Sequence, residues 1–279
     1  MRPNVDPMDG VPAVPSCAAG RPLLVALHGW LLSGQLWEPL AQQLEPRWQL
    51  WSPDLPGFGH HPRPRGLPAS LASYGRWLAQ TLQREAPQRP VVLIGHSLGG
   101  SVALHAAPML GPQLQGLVQI AAGGGVYQPR PFGLVRRSGA LFLDLRPCWL
   151  ARWPGLKAIQ APLLADTRAA RGLLACSTRR AAVRQLPCLA AQLTVPSLWI
   201  AGSRDAVMAP RYVRHLAGFC RGHQLAELEG AGHLPMRQMP ERLAELIDAW
   251  LNTALDPTGE TSLAQSAASP LSWSSASRA

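Results

Sequence analysis

Long apolar runs are missing from this chain of 279 residues. Its first twenty residues carry four prolines and two aspartates, and they lack the run of about 7 to 15 apolar residues that a signal peptide needs. Elsewhere Arg, Pro, Gln or Gly interrupts every apolar stretch well before the roughly 20 residues that a membrane-spanning helix requires. We therefore expect a soluble, cytoplasmic protein without an export signal.

Cysteine is also scarce, and the five cysteines form no C-x-x-C pair and no Cys/His cluster at zinc spacing. We therefore expect reduced, buried thiols rather than a disulfide framework, at Cys17, Cys148, Cys176, Cys188 and Cys220. The sequence predicts no metal site and no cofactor. A single domain of this length buries roughly three quarters of the surface that its unfolded chain exposes, which allows a large core without metals or disulfides.

Acidic residues are few, with 16 Asp and Glu against 26 Lys and Arg, and the formal net charge is +10. Nearly all of the excess lies between positions 123 and 193, where ten Arg and one Lys stand against two Asp, a net of +9. Three interpretations stay open: arginines that solvate helix faces, an acidic protein partner, or an anionic membrane surface. Attraction of either partner would weaken with salt. Nucleic acid is not expected, because no recognition helix and no basic strand interleaved with aromatics is visible.

Short apolar runs alternate with helical patterns along the chain, and no repeat with a period of 20 to 50 residues is present. This alternation predicts an α/β fold, in which helices flank a mostly parallel sheet. The runs typical of strands are 23–27, 49–51, 91–94, 117–121, 197–201 and 225–228. Three patterns are typical of helices. The first covers 71–85, with Ser70 as its N-cap, the second begins just after Ser97, and the third begins at Pro240.

The regular alternation stops between residues 123 and 193, where short helical pieces are separated by Pro and Gly. We interpret 123–193 as a helical cap inserted into an α/β core formed by residues 21–122 and 194–255. The terminal segments 1–20 and 256–279 are predicted to be disordered, the second because it is too poor in periodic apolar residues to pack.

The pentapeptide Gly95-His96-Ser97-Leu98-Gly99 follows a predicted strand and opens a predicted helix. In that setting a G-x-S-x-G sequence forms a nucleophile elbow, a sharp turn that presents the serine hydroxyl at the end of the strand. The flanking glycines have no Cβ atom and so permit the turn. The alternative is an ordinary strand-to-helix turn.

A serine hydroxyl is a weak nucleophile near neutral pH, so it needs a base beside it and a third group that orients the base. Asp205 directly follows one predicted strand, and His233 directly follows the next. Because parallel strands end at the same edge of a sheet, Ser97, Asp205 and His233 can converge there as a catalytic triad. Alternatively, Asp205 caps a helix and His233 is a surface histidine. Asp166 is a second choice for the acid, ranked lower because it follows no strand.

Two backbone amides qualify as donors to the oxyanion of a tetrahedral intermediate. The amide of Leu98 follows the nucleophile at a helix N-terminus, and the amide of Trp30 follows His28-Gly29 at the end of the first strand. His28-Gly29 forms a plain turn in the alternative interpretation. The side chains of Phe58 and His96 are predicted to line the substrate pocket.

Five motifs together resemble the alpha/beta hydrolase superfamily: HGW at 28–30, DLPGFG at 54–59, GHSLGG at 95–100, GSRD at 202–205 and GAGH at 230–233. The resemblance spans about Leu23 to Leu255, and in this fold the triad residues follow the chain order Ser, Asp, His. The pairing of HGW with DLPGFG is similar to the pimeloyl-[acyl-carrier protein] methyl ester esterases of biotin synthesis. It implies a serine esterase that forms an acyl-enzyme, acts on a carrier-linked ester and has acyl carrier protein as its acidic partner.

Several related functions stay open at this point. Dehalogenases and epoxide hydrolases of this fold carry Asp at the elbow, so the serine argues against them. Lipases, amidases, C–C bond hydrolases and cofactor-free peroxidases share the Ser triad, and a non-catalytic ligand receptor is the alternative of another class. If an acidic partner exists, the residues predicted to bind it are Arg136, Arg137, Arg179 and Arg180.

Overall fold

Six parallel strands form one sheet in the computed structural model, which describes residues 14–15, 21–45, 47–124, 129–149 and 157–255. The strand order across the sheet is β2-β1-β3-β4-β5-β6. The strands are β1 (Leu23–Leu27), β2 (Leu50–Trp51), β3 (Val91–His96), β4 (Leu114–Ile120), β5 (Ser197–Gly202) and β6 (His223–Leu228). The predicted α/β architecture with a parallel sheet is confirmed.

Helices follow or precede each strand. They are α1 (Glu38–Leu44), α2 (Leu71–Glu85), α3 (Leu98–Leu110), α4 (Pro129–Leu145), α5 (Lys157–Leu164), α6 (Thr167–Ser177), α7 (Arg180–Ala191), α8 (Pro210–Ala217), α9 (Pro235–Gln238) and α10 (Pro240–Ala254). The predicted N-cap of α2 is present, since the Ser70 hydroxyl accepts the Ser73 N–H at 3.2 Å. Over the residues that the structure describes, no helix is long and apolar enough to cross a membrane.

The strands β1, β3 and β5 are buried on both faces and read as mainly apolar runs, whereas β6 at the edge of the sheet is largely exposed. Successive residues of β1 point to opposite faces, as in any strand. Leu23, Val25 and Leu27 join the hydrophobic core that includes α2 and α3, whereas Leu24 and Ala26 join the core that includes α1 and α10. Because the six strands are parallel, their carboxyl ends lie at one edge of the sheet. Parallel sheets of this kind carry their binding and catalytic sites at that edge.

Four of the helices, α4 to α7, lie between β4 and β5. Asp166 fixes this segment to the rest of the chain: its carboxylate accepts the Ala169 N–H at 2.7 Å, capping α6, and pairs with Arg63 Nε at 3.0 Å. The Asp166 N–H also donates to the Gly57 carbonyl at 2.6 Å. We propose that 123–193 form a cap on a core of 21–122 and 194–255.

The two terminal segments are described only in part. Val14 packs against the core, and Arg89 donates to the Pro15 carbonyl at 2.6 Å. The rest of the segment 1–20 and the whole tail 256–279 lie outside the described residues.

The thiols differ in exposure. Cys220 is buried and Cys176 is half-buried, but Cys148 and Cys188 are exposed. The expectation of buried thiols is therefore wrong for Cys148 and Cys188, which lie on the helical segment between β4 and β5. Burial raises the pKa of the Cys220 thiol to about 11, so that thiol stays protonated and unreactive at neutral pH. Cys17 lies outside the described residues.

Candidate active site

Ser97 lies at the junction of β3 and α3 with a positive backbone dihedral, φ 52° and ψ −116°. Positive φ is uncommon for residues other than glycine, and strain of this kind is of order 1–3 kcal/mol. Two hydrogen bonds of 3.0 Å hold it, because the Ser97 N–H donates to the Ile120 carbonyl and the Ser97 carbonyl accepts the Gly100 N–H. The serine thus occupies the sharp turn that the sequence predicts.

Two glycines of the elbow give the turn its space. A Cβ on Gly95 would lie 2.4 Å from the Gly100 Cα, and a Cβ on Gly99 would lie 2.3 Å from the Leu27 carbonyl oxygen and 2.6 Å from that of His28. Such distances are far inside van der Waals contact. The first turn of α3 therefore packs directly on the backbone at the end of β1.

His233 and Asp205 meet beyond the ends of β6 and β5. The Nδ1 of His233 lies 2.8 Å from the Asp205 Oδ2, and the Asp205 Oδ1 accepts the N–H groups of Val207 and Met208, both at 2.8 Å. Burial by itself raises the pKa of Asp205, but the hydrogen bonds from His233 and from the two amides outweigh it and hold the pKa below its ordinary value. Asp205 is therefore a carboxylate that accepts the Nδ1–H of His233 and leaves the Nε2 able to take up a proton.

Ser97 and His233 line one cavity of about 410 Å³. Its lining is mainly apolar, with Trp30, Leu32, Leu98, Val135, Leu174, Val207, Met208 and Leu234. Two hydroxyls in the wall, of Ser177 and Thr178, donate to the Leu174 carbonyl at 3.2 and 2.7 Å. No Asp, Glu, Lys or Arg is among the described residues that line it. The cavity suits an uncharged, apolar group.

The peptide group between Gly29 and Trp30 carries one of the two predicted oxyanion donors. Its carbonyl accepts the Nδ1–H of His28 at 2.9 Å and the Leu32 N–H at 3.3 Å. The His28 Nε2 accepts the Leu55 N–H at 2.9 Å, which places the hydrogen of this ring on Nδ1. Burial lowers the pKa of His28 and keeps the ring neutral. Because a peptide group is planar, fixing this carbonyl also fixes the direction of the Trp30 N–H.

Leu98 carries the other predicted donor. It is the first residue of α3, where the helix offers its own amides no acceptor. Trp30 and Leu98 both line the cavity beside Ser97. The structure thus brings together at one cavity all five residues predicted to do chemistry: Trp30, Ser97, Leu98, Asp205 through its bond to His233, and His233.

The two predicted pocket residues are placed differently. His96 lines the cavity, and its Nε2 donates to the His233 backbone carbonyl at 2.8 Å, which ties the elbow to the loop of the histidine. Burial, together with the nearby His233, lowers the pKa of His96 to about 3, so its ring is neutral. Phe58 is 1% exposed, packs edge-on against His28 in the core, and is not among the described residues that line the cavity.

The four arginines predicted to bind a partner are exposed, at two sites on the helical segment: Arg136, Arg137, Arg179 and Arg180. Other basic residues of this segment serve its structure. Arg146 is buried and donates to the carbonyls of Pro162 and Ala165, both at 2.6 Å, and Arg171 pairs with Asp144. Burial thus removes Arg146 from the surface, whereas Arg171 stays exposed with its partner Asp144.

Comparison with known proteins agrees with the architecture. Residues 24–246 match the sequence profile of the alpha/beta hydrolase family. A pimeloyl-[acyl-carrier protein] methyl ester esterase of Xanthomonas oryzae pv. oryzae is 32% identical over 254 residues, which cover 82% of this chain and 95% of that protein. A thermophilic esterase from Thermogutta terrifontis superposes with a TM-score of 0.69 at 23% identity, over 84% of this chain and 90% of that one. A bromoperoxidase from Bacillus anthracis superposes with a TM-score of 0.71 at 16% identity, over 83% and 92%. These two structural similarities concern the fold alone.

Proposed function

Because the chain belongs to the alpha/beta hydrolase family, we propose that it hydrolyses a carboxylic ester with Ser97 as nucleophile, His233 as general base and Asp205 as the group that orients the base. The observation that carries this proposal is the 2.8 Å hydrogen bond between His233 and Asp205 at the cavity that His233 shares with the strained Ser97. This arrangement provides the nucleophile, base and orienting carboxylate that acyl transfer requires.

In the proposed reaction the Nε2 of His233 takes the proton of the Ser97 hydroxyl while the Ser97 Oγ attacks the ester carbonyl carbon. The carbonyl oxygen becomes an oxyanion and accepts the N–H groups of Trp30 and Leu98. Collapse of the intermediate breaks the bond to the alcohol, which leaves with the proton from His233. Water, activated by the same histidine, then hydrolyses the acyl-enzyme, releases the acid and restores the Ser97 hydroxyl.

As substrate we propose a methyl ester at the end of a carrier-linked acyl chain. The name of the Xanthomonas oryzae relative supports this choice, at 32% identity over 82% of the chain. The cavity supports it as well, because a lining without charged side chains among the described residues accommodates a neutral ester and a polymethylene chain. Hydrolysis converts that end into a carboxylate, which such a lining solvates poorly, so the product is expected to leave readily.

As partner we propose an acidic acyl carrier protein that binds the helical segment. Arg136 and Arg137 on α4 supply the positive charge, and the same helix exposes large apolar side chains, with Leu134 67% and Leu145 71% exposed. A helix that combines the two suits a partner with acidic and apolar groups on one face. Val135 of α4 is also part of the cavity lining, so a carrier held on this helix would stand beside the cavity.

The Ser97→Ala variant tests the proposed reaction. Loss of the nucleophile should lower kcat for a methyl ester by about a thousandfold or more and should abolish labelling by a fluorophosphonate, which reacts with activated serines. The matched control is Ser138→Ala, which removes an exposed hydroxyl on α4 and should leave both readouts unchanged. Substantial turnover in Ser97→Ala would overturn the assignment of the nucleophile. A wild-type protein that neither turns over esters nor reacts with the probe would instead support a ligand receptor.

A further inference from the structure

The indole of Trp30 links the loop after β1 to the helices that lie between β4 and β5. Its Nε1–H donates to the Ala170 carbonyl of α6 at 2.9 Å. The same ring lies against Gly139 of α4, where an added Cβ would come within 2.8 Å of the Trp30 Cη2 and 2.6 Å of the Leu174 Cδ2. Two helices of the proposed cap therefore hold this one side chain.

The backbone N–H of Trp30 is a proposed oxyanion donor, so the residue is held from two sides. From the core, His28 binds the carbonyl of the Gly29–Trp30 peptide at 2.9 Å. From the cap, Ala170 binds the indole. The next residue, Leu31, is 8% exposed and has a positive φ of 59°, a strained conformation that persists only where the surrounding structure holds it.

We propose that Trp30 is a positioning residue through which the seating of the cap sets the direction of an oxyanion donor. The inference rests on the proposed function. When α6 is in place, its carbonyl holds the indole and the Trp30 N–H points to the oxyanion. When α6 moves, the indole loses its acceptor and the donor loses one of its two supports. A partner that shifts the cap would thereby change the rate of turnover, not only the affinity for substrate.

The Trp30→Phe variant tests the link, because phenylalanine keeps an aromatic wall for the cavity and removes the indole N–H. Since the oxyanion exists only in the transition state, kcat for a short nitrophenyl ester should fall about tenfold or more while KM stays within about twofold. The matched control is Trp48→Phe, which removes a hydrogen bond of similar length from a buried indole, 2.7 Å to the Asp248 Oδ1, and Trp48 is not among the described residues that line the cavity. Both parameters should stay within about twofold in this control.

A second readout separates an oxyanion effect from general damage. Ser97 would add to a trifluoromethyl ketone and form a charged hemiketal whose oxygen occupies the oxyanion position. In Trp30→Phe the Ki of this inhibitor should rise by the same factor by which kcat/KM falls. The Ki of the matching secondary alcohol, which carries no oxyanion, should not change.

The Gly139→Ala variant reaches the same ring from the cap side without altering its hydrogen bond donor. It should also lower kcat. The loss in the double variant with Trp30→Phe should be clearly smaller than the product of the two single losses, because both changes act on one contact. If Trp30→Phe does not fold, the ketone Ki of Gly139→Ala decides the matter alone.

Four results would overturn the inference: normal kinetics in Trp30→Phe, a change confined to KM, losses of equal size in Trp30→Phe and Trp48→Phe, or independent losses in the double variant. These outcomes are distinct from failure of the proposed function. If Ser97→Ala is inactive while Trp30→Phe is normal, only the link is refuted. If Ser97→Ala stays active, the assignment of the nucleophile fails first.

Discussion

The Asp205 carboxylate binds His233 through one oxygen, at 2.8 Å, and two backbone N–H groups through the other. All three hydrogen bonds favour the ionised form, which explains why the pKa of this buried group is lowered rather than raised. His233 is thereby held as the tautomer that carries its hydrogen on Nδ1. The negative charge beside His233 and the orientation of its ring, which the proposed general base needs, come from the same side chain.

Asp205→Asn should consequently lower kcat by about 10⁴-fold with little change in KM, because the amide donates to Nδ1 and holds His233 as the wrong tautomer. The Asn oxygen can still accept the N–H groups of Val207 and Met208, so the fold should persist. Steady-state kinetics on a free ester, with a thermal unfolding curve, measure both. The control is Asp166→Asn at the N-cap of α6, which should change the free energy of unfolding more than kcat. Near-normal turnover in Asp205→Asn would exclude Asp205 as the orienting acid.

Gly99→Ala should damage both stability and activity. Its Cβ would overlap the Leu27 and His28 carbonyl oxygens, at 2.3 and 2.6 Å, so α3 must move away from β1 and take the Leu98 amide with it. We expect a loss of about 1–3 kcal/mol in the free energy of unfolding, measured with urea, and a fall in kcat. The matched control is Gly66→Ala, where an added Cβ meets no atom within 4 Å. This variant should change neither the free energy of unfolding nor kcat by a measurable amount.

The exposed arginines of the helical segment give a prediction about substrate form. Changing four of them to Glu should raise KM for a carrier-linked ester far more than for a small free ester: Arg136, Arg137, Arg179 and Arg180. The carrier reaction alone should weaken as salt rises from about 0.05 to 0.5 M, over which the screening length shrinks to a few Å.

The control for that experiment reverses four exposed arginines of the proposed core, which changes the net charge equally: Arg76, Arg84, Arg221 and Arg242. It should leave the preference between the two substrates unchanged. Parallel loss of both activities in the first variant would instead mean that those arginines support the helical segment itself. No loss in either would leave them as a solvated face.

Three buried histidines predict how stability depends on pH. Burial is the main cause that lowers the pKa of His28, His96 and His105 below the ordinary value of 6.5. The unfolded chain therefore takes up these protons first as the pH falls below about 6.5, and each proton lowers the free energy of unfolding by up to about 1.4 kcal/mol per pH unit. The stabilisation is complete above that pH and declines toward the pKa of the folded form.

His105→Gln removes one of these titrations at a site away from the cavity. Urea unfolding between about pH 6.5 and 5 should show a shallower decline than wild type, by up to one proton, whereas above about pH 7 the two stability curves should run parallel. Equal slopes in the acid range would show that His105 is protonated as readily in the folded protein as in the unfolded one.

The elements that carry the site follow from local sequence. The runs that form β1, β3 and β5 are apolar enough to be buried on both faces, and Gly95 and Gly99 mark a turn in which two positions have no room for a Cβ atom. Asp205 and His233 could be paired because each lies a few residues beyond the end of a strand, and parallel strands end at the same edge of a sheet. These inferences needed only neighbouring residues and the geometry of a sheet.

Contacts between residues far apart in the sequence could not be predicted in this way. The acceptor of the Trp30 indole is a backbone carbonyl 140 residues away, and a carbonyl has no sequence signature. The bond from His96 to the His233 carbonyl, over 137 residues, is hidden for the same reason. Phe58 shows a different limit: an apolar side chain beside the site can face the core or the cavity, and the pattern of the sequence is the same in both cases.

The positive φ of Ser97 sets two evolutionary pressures against each other. Glycine would adopt this backbone without the strain, which is a sizeable share of the 5–15 kcal/mol by which domains are typically stable. Selection for heat resistance alone would favour glycine at position 97. If Ser97 is the nucleophile that we propose, selection for turnover keeps its hydroxyl, and a descendant that no longer needs the reaction should gain stability by exchanging this side chain for glycine.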